Sequence, residues 1–108
     1  MNDKILSLLG LCRRAGKVSL GSDAVIDAVE KRTSKLVIMA SDISPHTQKD
    51  ILRACHAKSV KLFNLNRTKD ELSHGLGKFC GVISVNDGGF ANKLAQLISE
   101  ETEQEACL

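Results

Sequence analysis

The sequence contains few aromatic residues and no long apolar run. Among its 108 residues there are three phenylalanines and no tryptophan or tyrosine. Proteins that bind single-stranded nucleic acid stack successive bases on several aromatic side chains, so this scarcity argues against that class. No apolar run approaches the roughly 20 residues needed to cross a bilayer. Arg13 and Arg14 interrupt the N-terminal apolar segment, so a signal peptide is not predicted either.

Metal and catalytic motifs are also missing. The cysteines at positions 12, 55, 80 and 107 form no C-x-x-C pair and have no histidine at zinc-ligand spacing. They are predicted to be buried free thiols in a reducing cytoplasm. The sequence has no G-x-S-x-G or H-E-x-x-H motif, and its three histidines are isolated. We therefore expect no metal, no cofactor and no enzymatic activity.

The small net charge of +2 conceals an uneven distribution. Residues 1–98 contain 15 basic and 9 acidic residues, a net charge of +6, whereas four glutamates lie in the last nine residues. A basic body indicates a polyanionic partner, with no membrane involved. We predict one domain over residues 1–99, followed by an acidic flexible tail over residues 100–108.

Helical and extended segments alternate along the whole chain. Residues 36–40 form a continuous apolar run, which is typical of a strand covered on both faces. Ser44 followed by Pro45 predicts the beginning of a helix. The alternation predicts an α/β fold, a three-layer α/β/α sandwich around a sheet of about four strands. The helix after Pro45 is predicted to face the core with Ile51, Leu52 and Cys55.

A basic stretch with two glycines is the first candidate binding segment. Arg13, Arg14 and Lys17 surround Gly16, and Gly21 follows just before a predicted helix. Helix N-termini present unpaired N–H groups and partial positive charge, both of which suit phosphate oxygens. Glycine lets the backbone approach a ligand closely. The alternative interpretation is a solvated basic face beside two ordinary capping glycines.

Two further loops contain glycines. Residues 75–81 form a glycine-rich loop that contains Lys78 and Phe79, and the alternative is a plain helix C-cap followed by a turn. Residues 85–89 lie between a strand and a helix and resemble a phosphate loop only faintly, since neither G-x-x-x-x-G-K-[ST] nor G-x-G-x-x-G is present. A capped turn is the alternative there, and a small enzyme or nucleotide binder using Asp87, Gly88 and Gly89 is the corresponding functional hypothesis.

Four segments together resemble a family of ribosomal proteins that bind kink-turn RNA, the L-seven-Ae family. Within it the chain is similar to a small bacterial branch, the YlxQ-like proteins. The similarity covers about residues 4–98, and its motifs lie in residues 10–21, 35–45, 72–78 and 82–91. It implies a central four-stranded mixed sheet, a structured RNA partner such as ribosomal RNA or a kink-turn, and a ribosome-associated role.

The resemblance also implies where RNA would lie. The start of the second helix, including Ala24 and Asp27, would contact sheared G·A pairs, while Ser44 and the loop before the last strand would surround a flipped-out base. We expect the cations that bind RNA to be Arg13, Arg14, Lys17, Lys35 and Lys78. The predicted RNA-binding residues are Arg13, Arg14, Gly16, Lys17, Gly21, Ser22, Asp23, Lys35, Ser44, Lys78, Phe79 and Cys80.

The predicted contact helix departs from the family pattern. Strong kink-turn binders have Asn-Glu there and a lysine one turn later, whereas this chain has Asp23, Ala24 and Asp27. Aspartate accepts hydrogen bonds from base amino groups but repels phosphates. The alternative hypothesis is therefore a protein-interaction module of the same fold that has lost specific RNA binding. A monomer is expected in either case.

Overall fold

The computed structural model describes residues 3–106 and confirms the alternation of helices and strands. Five helices and four short strands follow one another in this part of the chain. The elements are α1 (Lys4–Arg14), β1 (Val18–Leu20), α2 (Ser22–Glu30), β2 (Leu36–Met39), α3 (Pro45–Lys58), β3 (Leu62–Asn64), α4 (Lys69–Leu76), β4 (Val82–Val85) and α5 (Gly88–Ala106).

The sheet is mixed, as the family resemblance implies. Its strand order is β1-β4-β2-β3, and β4 is antiparallel to both of its neighbours. The edge pair β2 and β3 is parallel. Met39 lies opposite Val82 and Leu36 lies opposite Val85, so the end of β2 is beside the beginning of β4.

Helices cover both faces of the sheet, which confirms the three-layer sandwich. Successive residues of a strand point to opposite faces. Leu36 and Ile38 accordingly pack into one core with residues of α1, α4 and α5. Val37 and Met39 pack into the other core with residues of α2 and α3. All four residues of β2 are buried, which is why the strand has no polar position.

Local capping chemistry sets several helix boundaries. Ser44 caps α3 with its side chain, and Thr68 and Glu71 form a reciprocal capping box at the start of α4. The prediction that Leu52 faces the core is wrong, because this side chain is 46% exposed. Ile51 and Cys55, four residues apart, lie on the buried face, and Leu52 lies one position around the helix from it.

The carboxyl end of the chain is helical as far as the structure describes it. Helix α5 continues to Ala106, and the flexible tail expected over residues 100–108 stays a prediction. Cys12, Cys55 and Cys80 are buried free thiols, as predicted, while Cys107 lies outside the described residues. Burial, with a smaller contribution from the Asp87 carboxylate, raises the pKa of Cys12 to about 11.

Candidate nucleic-acid interface

Three chain segments meet around a small cavity at one end of the sheet, called the loop cavity below. The start of α2, the loop between β2 and α3, and the loop between α4 and β4 form its walls. Its volume is about 180 Å³, less than the roughly 300–1,000 Å³ of typical small-molecule sites. It therefore suits a single group inserted from a larger partner. Its lining residues are Gly21, Ser22, Ile43, Ser44, Thr47, Lys69, Gly81 and Val82.

The wall formed by α2 offers unpaired backbone donors. Gly21 is the N-cap residue with φ 93° and ψ 154°, and no side chain caps the helix. A positive φ of this kind strains any residue with a Cβ, which explains the glycine. The Gly21 N–H donates to the Val82 carbonyl over 3.0 Å, which joins the start of α2 to β4. The N–H groups of the first helical turn have no partner within the helix, so they can meet an anionic or carbonyl oxygen.

The second wall is held by the cap of α3. The Ser44 hydroxyl accepts a hydrogen bond from the Thr47 N–H over 3.2 Å and donates to Thr47 Oγ1 over 3.0 Å. The Asp42 carboxylate in the same loop accepts the Lys69 N–H over 2.8 Å, which ties this loop to the start of α4. These contacts fix the position of Ser44. Its exposed hydroxyl oxygen can still accept a hydrogen bond from a ligand.

Lys69 is the charged residue in the lining of the loop cavity, and the motifs did not single it out for binding. An added Cβ at Gly81 would lie 3.1 Å from the Lys69 side-chain carbons and 3.0 Å from Ile43 Cγ2. Glycine at position 81 therefore lets the lysine stem pass close to the strand. The sequence pattern explains Lys69 only as part of the capping box at the start of α4, and no motif points to Thr47 in the first turn of α3.

The loop between α4 and β4 presents Phe79 to solvent. This side chain is 69% exposed, whereas Cys80 beside it is 5% exposed. The Cys80 N–H donates to the Ser73 hydroxyl over 3.0 Å, and Ser73 donates to the Lys69 carbonyl over 2.6 Å. The Cys80 side chain packs into the core, and its contact with RNA stays a prediction. Exposed Lys78 lies on the other side of Phe79.

Arg13 connects α1 to the same loop. Its Nη1 donates to the Leu76 carbonyl over 2.7 Å at the end of α4, where Gly77 has φ 78°. Burial raises the pKa of the Cys80 thiol, and the charges of Arg13 and Lys78 lower it by less. Both cations are thus near enough to influence this loop. Exposed Arg14 lies beside Arg13 in a groove between α1 and α4.

The remaining predicted residues lie at the opposite end of the sheet. The Lys17 carbonyl accepts the Asn86 N–H and the Lys35 N–H donates to the Val85 carbonyl, each over 2.8 Å. Both lysines therefore flank the end of β4, while the loop cavity is at its beginning. Gly16, with φ 72°, forms the turn before Lys17. The structure thus separates Gly16, Lys17 and Lys35 from Gly21, Ser22, Asp23 and Ser44.

Within the described residues, no group of three or more His, Cys, Asp or Glu side chains could hold a metal ion. No helix in residues 3–106 is both long and apolar enough to cross a membrane.

Most of the chain matches the model of one protein family. Residues 3–95 match the ribosomal protein L7Ae/L30e/S12e/Gadd45 family. The chain therefore belongs to this family, which confirms the resemblance found in the sequence.

Individual relatives cover most of the chain. The RNA-binding protein YlxQ of Bacillus subtilis strain 168 is 37% identical over 92 residues, which are 84% of this chain and 91% of the relative. Large ribosomal subunit protein eL8 of Thermoplasma volcanium is 29% identical over 110 aligned positions, which cover 96% of this chain and 87% of the relative. A solved structure of a protein of unknown function from Bacillus halodurans C has a TM-score of 0.84 and 38% identity, and the match covers 89% of this chain and 97% of that one.

Proposed function

We propose that this protein is a non-enzymatic RNA-binding protein that recognises structured RNA of the kink-turn type. The observation that carries the proposal is the convergence of α2, Ser44 and the loop before β4 around the loop cavity. A relative at 37% identity is named an RNA-binding protein, and another relative is a ribosomal protein. We also propose that the protein acts as a monomer, in association with the ribosome, in the cytoplasm.

The loop cavity and the adjacent loop before β4 would together contact a kinked RNA. An unstacked base would enter beside Phe79, whose exposed ring offers a stacking surface. The first-turn N–H groups of α2 and the Lys69 ammonium would meet phosphate or carbonyl oxygens. Arg13 and Lys78 would add positive charge at the rim. Shape and backbone contacts would therefore carry most of the recognition.

The aspartates on α2 oppose phosphate binding less than their sequence positions suggest. Asp27 forms an ion pair of 3.1 Å with Lys31, one turn further along the same helix. This leaves Asp23 as the unpaired carboxylate at the exposed start of α2, within the described residues. A carboxylate there suits the amino groups of sheared bases, and it is also the feature that favours the protein-interaction alternative.

Fluorescence anisotropy with a labelled kink-turn RNA tests the proposal. The comparison RNA has the same length but carries Watson–Crick pairs in place of the G·A pairs. We expect tighter binding of the kinked RNA at both low and moderate salt. No affinity for either RNA at low salt would overturn the proposal and favour the alternative, a protein-interaction module. Equal affinities for the two RNAs would show general polyanion binding without recognition of the kink.

Phe79→Ala tests the stacking contact. Loss of one aromatic platform lowers binding by about 1–3 kcal/mol, roughly 5- to 150-fold in Kd. The matched control is Leu52→Ala, since Leu52 is also a large exposed apolar residue, 46% exposed on α3. We expect its Kd to equal that of the parent. Equal affinities for both variants and the parent would show that no base stacks on Phe79.

Lys69→Ala tests the cation in the loop cavity. Loss of one phosphate contact should reduce the slope of log affinity against log salt by about 0.7–0.9. Exposed Lys49 on α3 supplies the control, because Lys49→Ala removes the same charge outside the cavity lining. Equal slopes for the two variants would place the phosphate contacts elsewhere.

A further inference from the structure

A second cavity, called the basic cavity below, lies at the opposite end of the sheet from the loop cavity. It has a volume of about 390 Å³ and is formed where the turn after α2, the turn after α3 and the first part of α5 meet. Four cationic residues from two of these segments line it, and its lining contains no carboxylate. They are Arg32, Lys35, Lys58 and Lys61.

These four charges have no ion-pair partner in the part of the chain whose side chains are described. Within residues 3–101, where side-chain contacts are described, none of them lies within ion-pair distance of a carboxylate. Asp27, on the adjacent helix, is already paired with Lys31. The Lys61 ammonium lies 5.8 Å from the centroid of the Phe63 ring, a contact that leaves its full charge in place.

Helix ends explain part of this charge but not most of it. Helices α2 and α3 both end beside the basic cavity, and the carboxyl end of a helix attracts cations. Each helix end is equivalent to about half of a negative elementary charge. Two ends therefore offset about one of the four positive charges. The remaining excess of about three positive charges is not balanced by an ion pair within residues 3–101.

The other lining groups favour phosphate over a protein partner. The Ser59 hydroxyl and the Asn92 amide are neutral hydrogen-bond donors, and Ala91 and Ala95 are small. The large exposed apolar side chains of the described chain are Leu11, Leu52 and Phe79, and none of them lines this cavity. Protein interfaces depend on aromatic or aliphatic anchors, whereas nucleic-acid interfaces are polar and strongly positive.

We propose that the basic cavity binds the sugar–phosphate backbone of a second RNA segment, distinct from the segment at the loop cavity. The two cavities are separated by the four residues of β2, about 10 Å of strand between Leu36 and Met39, together with the turns at each end. The identification of the polyanion as RNA rests on the proposed function, whereas the phosphate site rests on the four charges themselves.

The test uses Lys35→Glu combined with Lys61→Glu, because both side chains are exposed and neither forms an ion pair within the described part. The probe is a short RNA duplex without a kink. Loss of two phosphate contacts should reduce the salt slope by about 1.8, and affinity at ~50 mM salt should fall on the order of a hundredfold. Arg32→Glu with Lys58→Glu should have the same effect if the first pair fails to fold.

The matched control is Lys4→Glu with Lys93→Glu, which changes the net charge equally on the face formed by α1 and α5. We expect a much smaller loss for this pair. Equal losses for both pairs would show a general charge effect and overturn the proposal. Polyglutamate serves as a second polyanion. If it binds the parent as tightly as the duplex does, and if Lys35→Glu with Lys61→Glu weakens both equally, the assignment to RNA is overturned.

Amide chemical shifts separate this proposal from the proposed function. Titration with kink-turn RNA should perturb Ser22 and Gly81 at the loop cavity and, independently, Lys35, Ser59 and Lys61 at the basic cavity. Shifts at the first set alone would overturn the second site. Shifts at the second set alone would leave it standing and overturn the proposed function.

Discussion

Arg67→Ala should destabilise the protein, because Arg67 joins both ends of the described chain through two carboxylates. Its Nε donates to Asp3 Oδ2 and its Nη2 donates to Glu101 Oε1, each over 2.7 Å. The side chains of Arg67, Asp3 and Glu101 are only 13%, 15% and 29% exposed. The substitution would leave two partly buried carboxylates without their cation.

The expected loss can be estimated from these exposures. Removing one partner of a buried ion pair lowers the free energy of unfolding by about 3–5 kcal/mol. Asp3 keeps its hydrogen bonds from the N–H groups of Ile5 and Leu6, so we expect a value near 3 kcal/mol. Urea denaturation at pH 7 measures it. The control is Arg53→Ala, because the Arg53 side chain is 72% exposed and its Nη1 lies 4.0 Å from Asp50 Oδ1. This substitution should change the free energy of unfolding by less than about 0.5 kcal/mol.

Measuring the free energy of unfolding of the parent and of Arg67→Ala at low pH completes this test. Burial raises the pKa of Asp3, but hydrogen bonds from Arg67 and from the Leu6 N–H outweigh burial and hold it below the usual 3.8. A lowered native pKa stabilises the fold above pH 3.8, and this stabilisation is lost as the pH falls through the native value. The difference between parent and Arg67→Ala should therefore shrink below pH 3.8. A difference under 1 kcal/mol at pH 7, or one that is constant with pH, would refute the reasoning.

Two more substitutions test the polar core and the start of α2. Ser84→Ala should lower the free energy of unfolding by about 1–3 kcal/mol, because the buried Ser84 hydroxyl is hydrogen-bonded over 2.7 Å to both Ser34 and Asn86. An unchanged free energy of unfolding in urea denaturation would contradict this. Gly21→Ala should lower the free energy of unfolding by about 1–3 kcal/mol, because alanine is strained at the Gly21 φ of 93°. It should also weaken kink-turn RNA binding in the anisotropy assay. The control is Gly88→Ala, whose added Cβ meets open space, and it should leave binding unchanged.

Local chemistry made the elements predictable, but it did not show where they meet. The Ser44 cap and the alternating cores on β2 follow from residue types and strand periodicity, and the structure confirms them. Lys17 and Gly21 are four residues apart in the sequence, and charge counting grouped them together. Strand β1 lies between them and carries the chain from one end of the sheet to the other. A local sequence pattern cannot predict which end of the sheet a residue reaches in the folded chain.

The direction of β4 is what makes the loop cavity possible. Gly21 follows β1 and Ser44 follows β2, whereas Gly81 precedes β4. In an all-parallel sheet, a loop before a strand would lie at the other end from loops that follow strands. Here β4 is antiparallel to both neighbours, so its beginning meets the ends of β1 and β2.

The register of β4 is therefore part of the candidate site. Val82 lies opposite Met39, and its carbonyl accepts the Gly21 N–H over 3.0 Å. A slip of one residue would move Gly81 by about 3.3 Å along the strand. It would also turn Ile83 and Val85 out of the core that they share with α1 and α5. The same burial that stabilises the sheet thus fixes the third wall of the cavity.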